Sequence, residues 1–268
     1  MPELPEVQTV LDTLANRIKN RKIVDIKILY KPIVLENERT FKKLLIGQSF
    51  KQFKRRGKYL LFEMNDITLV SHLRMEGKYF ILDDKTPINK HDHVIFYLDN
   101  GKQLRYNDVR KFGRMELVEK GDYLSFKDLG PEPFSKEFNL KYCKQYLKDK
   151  KHPIKEVLLD QSFVAGIGNI YADEICFAMK VNPTRPANKL KDEEIKLLIS
   201  STRRILKAAI KAGGTTIRSY TSSLGVTGRF QISLKVHTQE NCPICNSSIT
   251  KIRVGGRGTY YCKKCQNK

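Results

Sequence analysis

Tryptophan is absent from the 268 residues, so stacking on or wedging between flat rings falls to 13 Phe, 12 Tyr and five Met. No stretch approaches the roughly 18 apolar residues of a membrane span. The opening residues, MPELPEV, carry acids where a secretory leader has bases, so the expectation is a soluble cytoplasmic protein without a signal peptide. Internal repeats and low-complexity tracts are missing as well. Acids run out toward one end: residues 201–268 hold 13 Lys or Arg and one acid, Glu240. Cysteine is sparse, with six in all, and four of these form two CxxC pairs.

What is present is positive charge over a globular composition. Hydrophobic residues make up 40%, enough for a core in a chain long enough for two domains. Fifty basic against 29 acidic residues leave a net +21, and an excess this large implies a polyanionic partner because it otherwise only adds self-repulsion. Nucleic acid is the first candidate and an anionic membrane surface the second. The solvated faces of a Lys-rich chain are the plain alternative, which suits the N-terminal excess better than the basic tail.

The hydrophobic period divides the chain. Val7, Val10, Leu11, Leu14 and Ile18 recur every three or four residues, which predicts one helix, with Glu3 and Glu6 at its start. From about 22 to 118 the period shortens to that of strands (KIVDIKILY, KYLLFEM, ITLVSHL, KYFILDD, HVIFYLD, KQLRY, RMELVEK), broken by turns such as Asn65-Asp66 and Asp99-Asn100-Gly101 and by a short helix near 36–45. The fold class is therefore α+β and multidomain. A catalytic antiparallel β-sandwich (or barrel) with an N-terminal helix spans 1–120. A Gly/Pro linker covers 121–135, and a helical domain covers 136–230 with helices at about 137–148, 153–160, 168–179 and 191–212. Asp192 is the expected cap of the last helix, and Gly213-Gly214 its end. Residues 231–268 form a small cysteine module.

In that module Cys242, Cys245, Cys262 and Cys265 follow a C-x2-C-x16-C-x2-C spacing, which offers the S4 set that one Zn²⁺ accepts at about 2.3 Å per bond. Four protein ligands leave no open position, so the zinc is expected to be structural. An iron–sulfur cluster or a redox dithiol pair are the alternatives. SSITKIRV and RGTYYC read as a β-hairpin joined through Gly255-Gly256, too short for a core of its own, so metal supplies its folding free energy. Lys251, Arg253, Arg257, Lys263 and Lys264 make it basic, and Arg257 at the tip is placed to reach a phosphate. Cys143 and Cys176 stand alone in apolar stretches and read as reduced core residues.

The N-terminus can act as a reagent. Pro2 is small enough for Met1 to be removed, which exposes a secondary amine. An α-amine titrates near 7.7–8.0 against about 10.4 for Lys, so far more of it is nucleophilic at neutral pH. Its attack on an aldehyde-like carbon gives an iminium, an electron sink for elimination, and Glu3 and Glu6 lie close enough in sequence to move protons. Pro followed by Glu is also an ordinary helix start.

Taken together, MPELPEV, RRGKYLLFE (55–63), HLRM (72–75), KHDH (90–93), DVRKFGR (108–114), LLDQ with VAGIGNIYADE (158–174) and the terminal cysteines resemble the formamidopyrimidine-DNA glycosylase family, in that family's order and over nearly the whole chain. The resemblance implies a helix–two-turn–helix domain between the sandwich and the zinc finger. It implies a monomeric enzyme that excises 8-oxoguanine and formamidopyrimidines from double-stranded DNA and cleaves the abasic strand by β,δ-elimination. By the same resemblance Pro2 is the Schiff-base nucleophile, Glu3 the general acid, Glu6 a second acid, Lys58 the lysine of β-elimination, and Arg257 is linked to the second elimination. Met75, Arg110 and Phe112 fill the gap left by the flipped nucleotide. His91 and Asn169 meet phosphate, Lys155 lies near the lesion, and residues 218–229 form a lesion-capping loop.

Three features depart from the family's usual pattern. Lys111 replaces a frequent Arg, Ser247 is unusual in the finger, and TSSLGVTGRFQ is not the commonest capping loop. The last leaves lesion preference open. An endonuclease VIII-like glycosylase for oxidised pyrimidines shares the chemistry, although Leu4 favours the purine branch. A non-catalytic zinc-dependent nucleic-acid-binding protein is the alternative from another class.

Overall fold

The computed structural model describes residues 1–122, 126–215 and 228–267. They fall into two compact units, Met1–Lys127 with Gly213–Gly228, and Asp128–Ala212 with Arg229–Lys268. No helix among the described residues is long and apolar enough to cross a membrane.

In the first unit, helix α1 (Leu4–Ile18) starts at Pro5 in its first turn, where a missing N–H costs nothing. All five predicted apolar positions, Val7 to Ile18, are at most 3% exposed. Helix α2 (Glu38–Leu45) is capped by Asn37, whose side chain accepts from Thr40 N. The strands form two four-stranded antiparallel sheets. One is ordered β1 (Ile23–Ile28), β6 (Asp92–Leu98), β7 (Lys102–Asn107), β5 (Lys78–Asp83). The other is ordered β2 (Gln52–Arg56), β3 (Tyr59–Glu63), β4 (Ile67–His72), β8 (Arg114–Glu119). A single core joins α1, α2 and both sheets, with Leu60, Phe62, Leu69 and Met115 from one sheet and Tyr79, Phe96, Leu104 and Tyr106 from the other. Strand β2 (QFKRR) has no alternation to read, because it is a basic edge strand with little to bury.

The second unit holds α3 (Leu140–Leu147), α4 (Ile154–Leu159), α5 (Asn169–Ala178) and α6 (Asp192–Lys211), followed by the hairpin β9 (Thr250–Val254) and β10 (Arg257–Tyr261). One expectation fails at α6. Asp192 is its first helical residue rather than its cap, the cap position is Lys191, and Glu194 reaches back to accept Lys191 N at 2.8 Å. Cys143 and Cys176 are free and fully buried, and burial pushes the Cys143 thiol up to about 12 and that of Cys176 higher still, which suits inert core thiols.

Candidate functional site

The start of α1 is the most heavily functionalised corner of the first unit. Pro2 is buried beneath Met1, and Glu3 and Glu6 are 3% and 4% exposed. The Glu3 N–H donates to Glu6 Oε2 at 2.9 Å, which fills an otherwise orphaned donor at the helix start. The other Glu6 oxygen accepts Thr215 N at 2.7 Å, and Gly214 (φ +80°) lies so close that a Cβ there would stand 2.8 Å from it. Burial pushes the Met1 α-amine below its usual value, opposed by the fields of Glu3 and Glu6; Lys58 lowers it and Glu76 raises it. Lys58 and Glu76 therefore lie within electrostatic reach of the amine. Glu76, beside Met75, had no signal in the sequence analysis; only the fold brings it here.

Lys58 is not an edge-strand charge. Arg56 pairs with Tyr59, so Gly57 and Lys58 are the two-residue turn between β2 and β3, and Gly57 supplies the positive φ (+55°) at its first position. The lysine is 6% exposed. Behind it His72 closes β4: its Nδ1 accepts the Arg74 N–H at 2.9 Å, and its ring meets Tyr59 edge-on. Burial, with Arg74 and Lys58 adding to it, lowers the His72 pKa to about 3. The unfolded chain therefore takes up this proton first, and stability contributed above pH 6.5 is lost as the pH falls, at up to about 1.4 kcal/mol per pH unit. Urea midpoints should drop between pH 6.5 and 5, and His72→Asn, which keeps an acceptor for Arg74, should flatten that slope; an equal slope in both proteins contradicts this assignment.

Met75, His91, Arg110 and Phe112 sit on three loops of the same unit. Phe112 is 47% exposed, so it is not a core residue, and the Arg110 guanidinium lies 4.7 Å from its ring centroid. Between them Lys111 takes φ +58° and turns its ammonium onto the Tyr30 ring at 4.7 Å. Met75 is half-buried in the turn between β4 and β5. His91 precedes β6, its N–H bound by Asn89 Oδ1 and its carbonyl by Asp108 N. Arg105, 1% exposed, holds this loop through Asp92 (3.1 Å) and the carbonyls of Thr86 and Pro87.

In the second unit Asn169 is the first residue of α5, after Gly168 at the cap position. Gln161 builds the turn before it, accepting Gly166 N and donating to Leu159 O and Ile167 O, each at 2.9 Å. The Asn169 amide donates to Gly258 O of β10 at 3.0 Å. Lys155 departs from its expected place as a lesion-side contact. It is fully buried, with Nζ 2.7 Å from Asp173 Oδ1, 2.8 Å from Thr259 Oγ1 and 3.0 Å from Gly258 O. Two hydrogen bonds to the finger and an ion pair with Asp173 tie α4 and α5 to the finger; removing one partner of such a buried pair costs about 3–5 kcal/mol. Asp173 Oδ2 also meets His237 Nδ1 at 2.7 Å, and Glu174 accepts three consecutive backbone N–H groups, Lys235 to His237, at 2.9 Å each. This acidic clamp has no signal in the sequence, because its partners lie far along the chain.

The four finger cysteines place their Sγ atoms within 4.8 Å of one another. A tetrahedral zinc with bonds of about 2.3 Å requires sulfurs about 3.8 Å apart. Cys242 and Cys265 stand at 3.8 Å, and Cys245 and Cys262 at 3.4 Å, so the donor set fits one structural zinc. Arg257 is exposed at the hairpin tip beside Gly255-Gly256. The lesion-capping segment 218–229 lies outside the described residues except for Gly228 and Arg229.

Three family models match in register with this architecture: the formamidopyrimidine-DNA glycosylase N-terminal domain over residues 1–115, its H2TH domain over 129–221, and a zinc finger found in FPG and IleRS over 239–268. The chain is 48% identical to formamidopyrimidine-DNA glycosylase of Ligilactobacillus salivarius, covering 99% of both chains, and equally to that of Streptococcus mutans. It superposes with a TM-score of 0.94 on wild-type Lactococcus lactis Fpg in complex with N7-benzyl-Fapy-dG DNA (44% identity, 100% of both chains). A complex of Lactococcus lactis Fpg with abasic-site DNA matches with the same score and identity, over 99% of this chain. With the buried acids at the N-terminus, the two sheets, the helical turn and the four-cysteine hairpin all in that order, the chain belongs to the formamidopyrimidine-DNA glycosylase family.

Proposed function

We propose that the protein excises oxidised purines, 8-oxoguanine and formamidopyrimidines, from duplex DNA in the bacterial cytoplasm and then cleaves the abasic strand. The observation that carries this reading is the burial of Pro2, Glu3, Glu6 and Lys58 in one unit, with the charges of Glu3, Glu6, Lys58 and Glu76 acting on the N-terminal amine, because an amine nucleophile and proton donors are what the reaction needs. Removal of Met1 frees the Pro2 amine to attack C1′ while Glu3 donates a proton to the deoxyribose ring oxygen. The base departs, leaving an iminium that carries positive charge without a bound proton. That sink accepts the electrons of the C2′–H bond, and the 3′ phosphate leaves; Lys58 holds the phosphate and Glu6 relays protons. The second elimination expels the 5′ phosphate with Arg257 beside it. Met75, Arg110 and Phe112 fill the vacated stack, and the exposed Phe112 with Arg110 against its face suits that task. His91, Asn169 and Arg257 take the backbone phosphates. Zinc, when bound, holds the finger's shape and supplies no reacting group.

Borohydride traps such an imine. We expect covalent capture of duplexes bearing 8-oxoguanine opposite cytosine or an abasic site, a cross-link that peptide mapping places on Pro2, and an intact mass lacking Met1. A lesion panel extended to oxidised pyrimidines sets the substrate preference. Binding without capture would reduce the protein to a DNA-binding module, and efficient nicking by protein that retains Met1 would remove Pro2 from the chemistry.

A further inference from the structure

The loops that carry Met75 and Phe112 converge on one buried group. Tyr106, at 0% exposure, pairs with Tyr79 across β5 and β7 and projects its hydroxyl between Gly77 and Gly113. A Cβ on Gly77 would stand 2.2 Å from that oxygen, and one on Gly113 would stand 1.6 Å from it, so no side chain fits at either position unless the tyrosine moves. Two residues on, Asp108 is also fully buried and spends its carboxylate on the second loop. Oδ1 accepts Arg110 N at 3.0 Å; Oδ2 accepts Phe112 N and Gly113 N at 2.9 Å and the Tyr106 hydroxyl at 3.3 Å. The Asp108 carbonyl faces His93 Nε2 at 2.7 Å, and its N–H donates to His91 O. One residue of chain thus fixes the backbone on both sides of the exposed pair Arg110 and Phe112, and Lys111 is turned away onto Tyr30.

We propose that Tyr106 and Asp108 form a positioning centre that sets the spacing of the Met75 loop against the Arg110–Phe112 loop, so that the inserting side chains enter the duplex together. This rests on the functional reading above. Neither residue touches DNA; both act through the loops they hold. Asp108→Asn places an amide N–H₂ where the carboxylate accepted, against either the Arg110 N–H or the pair from Phe112 and Gly113. The carboxylate cannot be replaced there by a group of the same shape without opposing donors.

The test compares two substrates, an 8-oxoguanine·cytosine duplex, which requires insertion, and a single-stranded abasic oligonucleotide, which does not. Since a misplacement of about 1 Å can cost about 10²-fold, we expect Asp108→Asn to lower kcat/KM on the duplex by that order. We also expect it to erase the stopped-flow signal of 2-aminopurine placed beside the lesion, while borohydride trapping on the single strand stays within about twofold of wild type. Gly113→Ala should behave likewise, because its methyl would strike both the Tyr106 hydroxyl (1.6 Å) and the ring carbon that bears it (2.6 Å). Equal falls on both substrates, or wild-type insertion in Asp108→Asn or Gly113→Ala, would overturn the proposal. Wild-type protein that traps neither substrate refutes the functional reading itself, whatever the variants do.

Discussion

Glu3→Gln should slow excision of 8-oxoguanine by about 10²–10⁴-fold, the range a positioned general acid contributes. Glutamine keeps the volume and hydrogen-bonding capacity of the side chain and cannot deliver its proton. The helix start should survive, because the Glu3 backbone N–H still donates to Glu6 and the glutamine oxygen can still accept the Glu6 backbone N–H that the Glu3 carboxyl takes in the capping box. Single-turnover assays on 8-oxoguanine·cytosine duplexes would show the fall, while borohydride capture on a preformed abasic site, which needs no base to leave, should persist. This split separates loss of the acid from loss of the nucleophile: protein whose N-terminus is blocked by a retained formyl-Met1 should lose capture on both substrates. Normal excision by Glu3→Gln would end the proton-donor assignment.

Stripping zinc should have the second large effect. The hydrophobic cluster of the finger contains only Phe177, Val236, Cys242 and Cys262 as buried members, two of them ligands, so little holds the hairpin once the sulfurs repel one another. Structural zinc contributes an apparent 10–16 kcal/mol in peptides of this kind, far more than such a cluster can replace. Unfolding it also releases the Thr259 hydroxyl and Gly258 carbonyl from Lys155 and Asn169, which leaves a buried ammonium short of partners in the helical unit. Affinity for an abasic-site duplex should fall by at least about 10²-fold, or about 2.7 kcal/mol. Metal analysis should find one zinc per chain before treatment and none after, and the β-sheet signal of the first unit should remain. Unchanged affinity after verified zinc loss would take the finger out of the interface.

The buried clamps explain why zinc loss should reach into the helices. Lys155, Asp173 and Glu174 are each at most 4% exposed and engaged with the segment from Lys235 to Tyr260. The acids therefore act by ordering the finger. Lys155, placed near the lesion by resemblance, is bonded to the finger in the structure, and its loss would be felt through the position of Gly258 and Asn169.

Local chemistry was enough to determine several features from sequence alone. The apolar face of α1 follows from a period of three and four, the zinc ligands from two CxxC turns, and seven of the eight strands of the first unit from β-branched and aromatic runs, since each signal is carried by neighbouring residues. Strand β2, the cap of α6, the burial of Lys58, the field of Glu76 at the N-terminus and the Tyr106–Asp108 centre had no such signal. Apart from the α6 cap, which Glu194 sets three residues on, each depends on the folded arrangement (a sheet edge, a carboxylate in the turn between β4 and β5, two glycines 36 residues apart packed on one hydroxyl), and burial and hydrogen bonding between distant residues are settled only when the chain has folded.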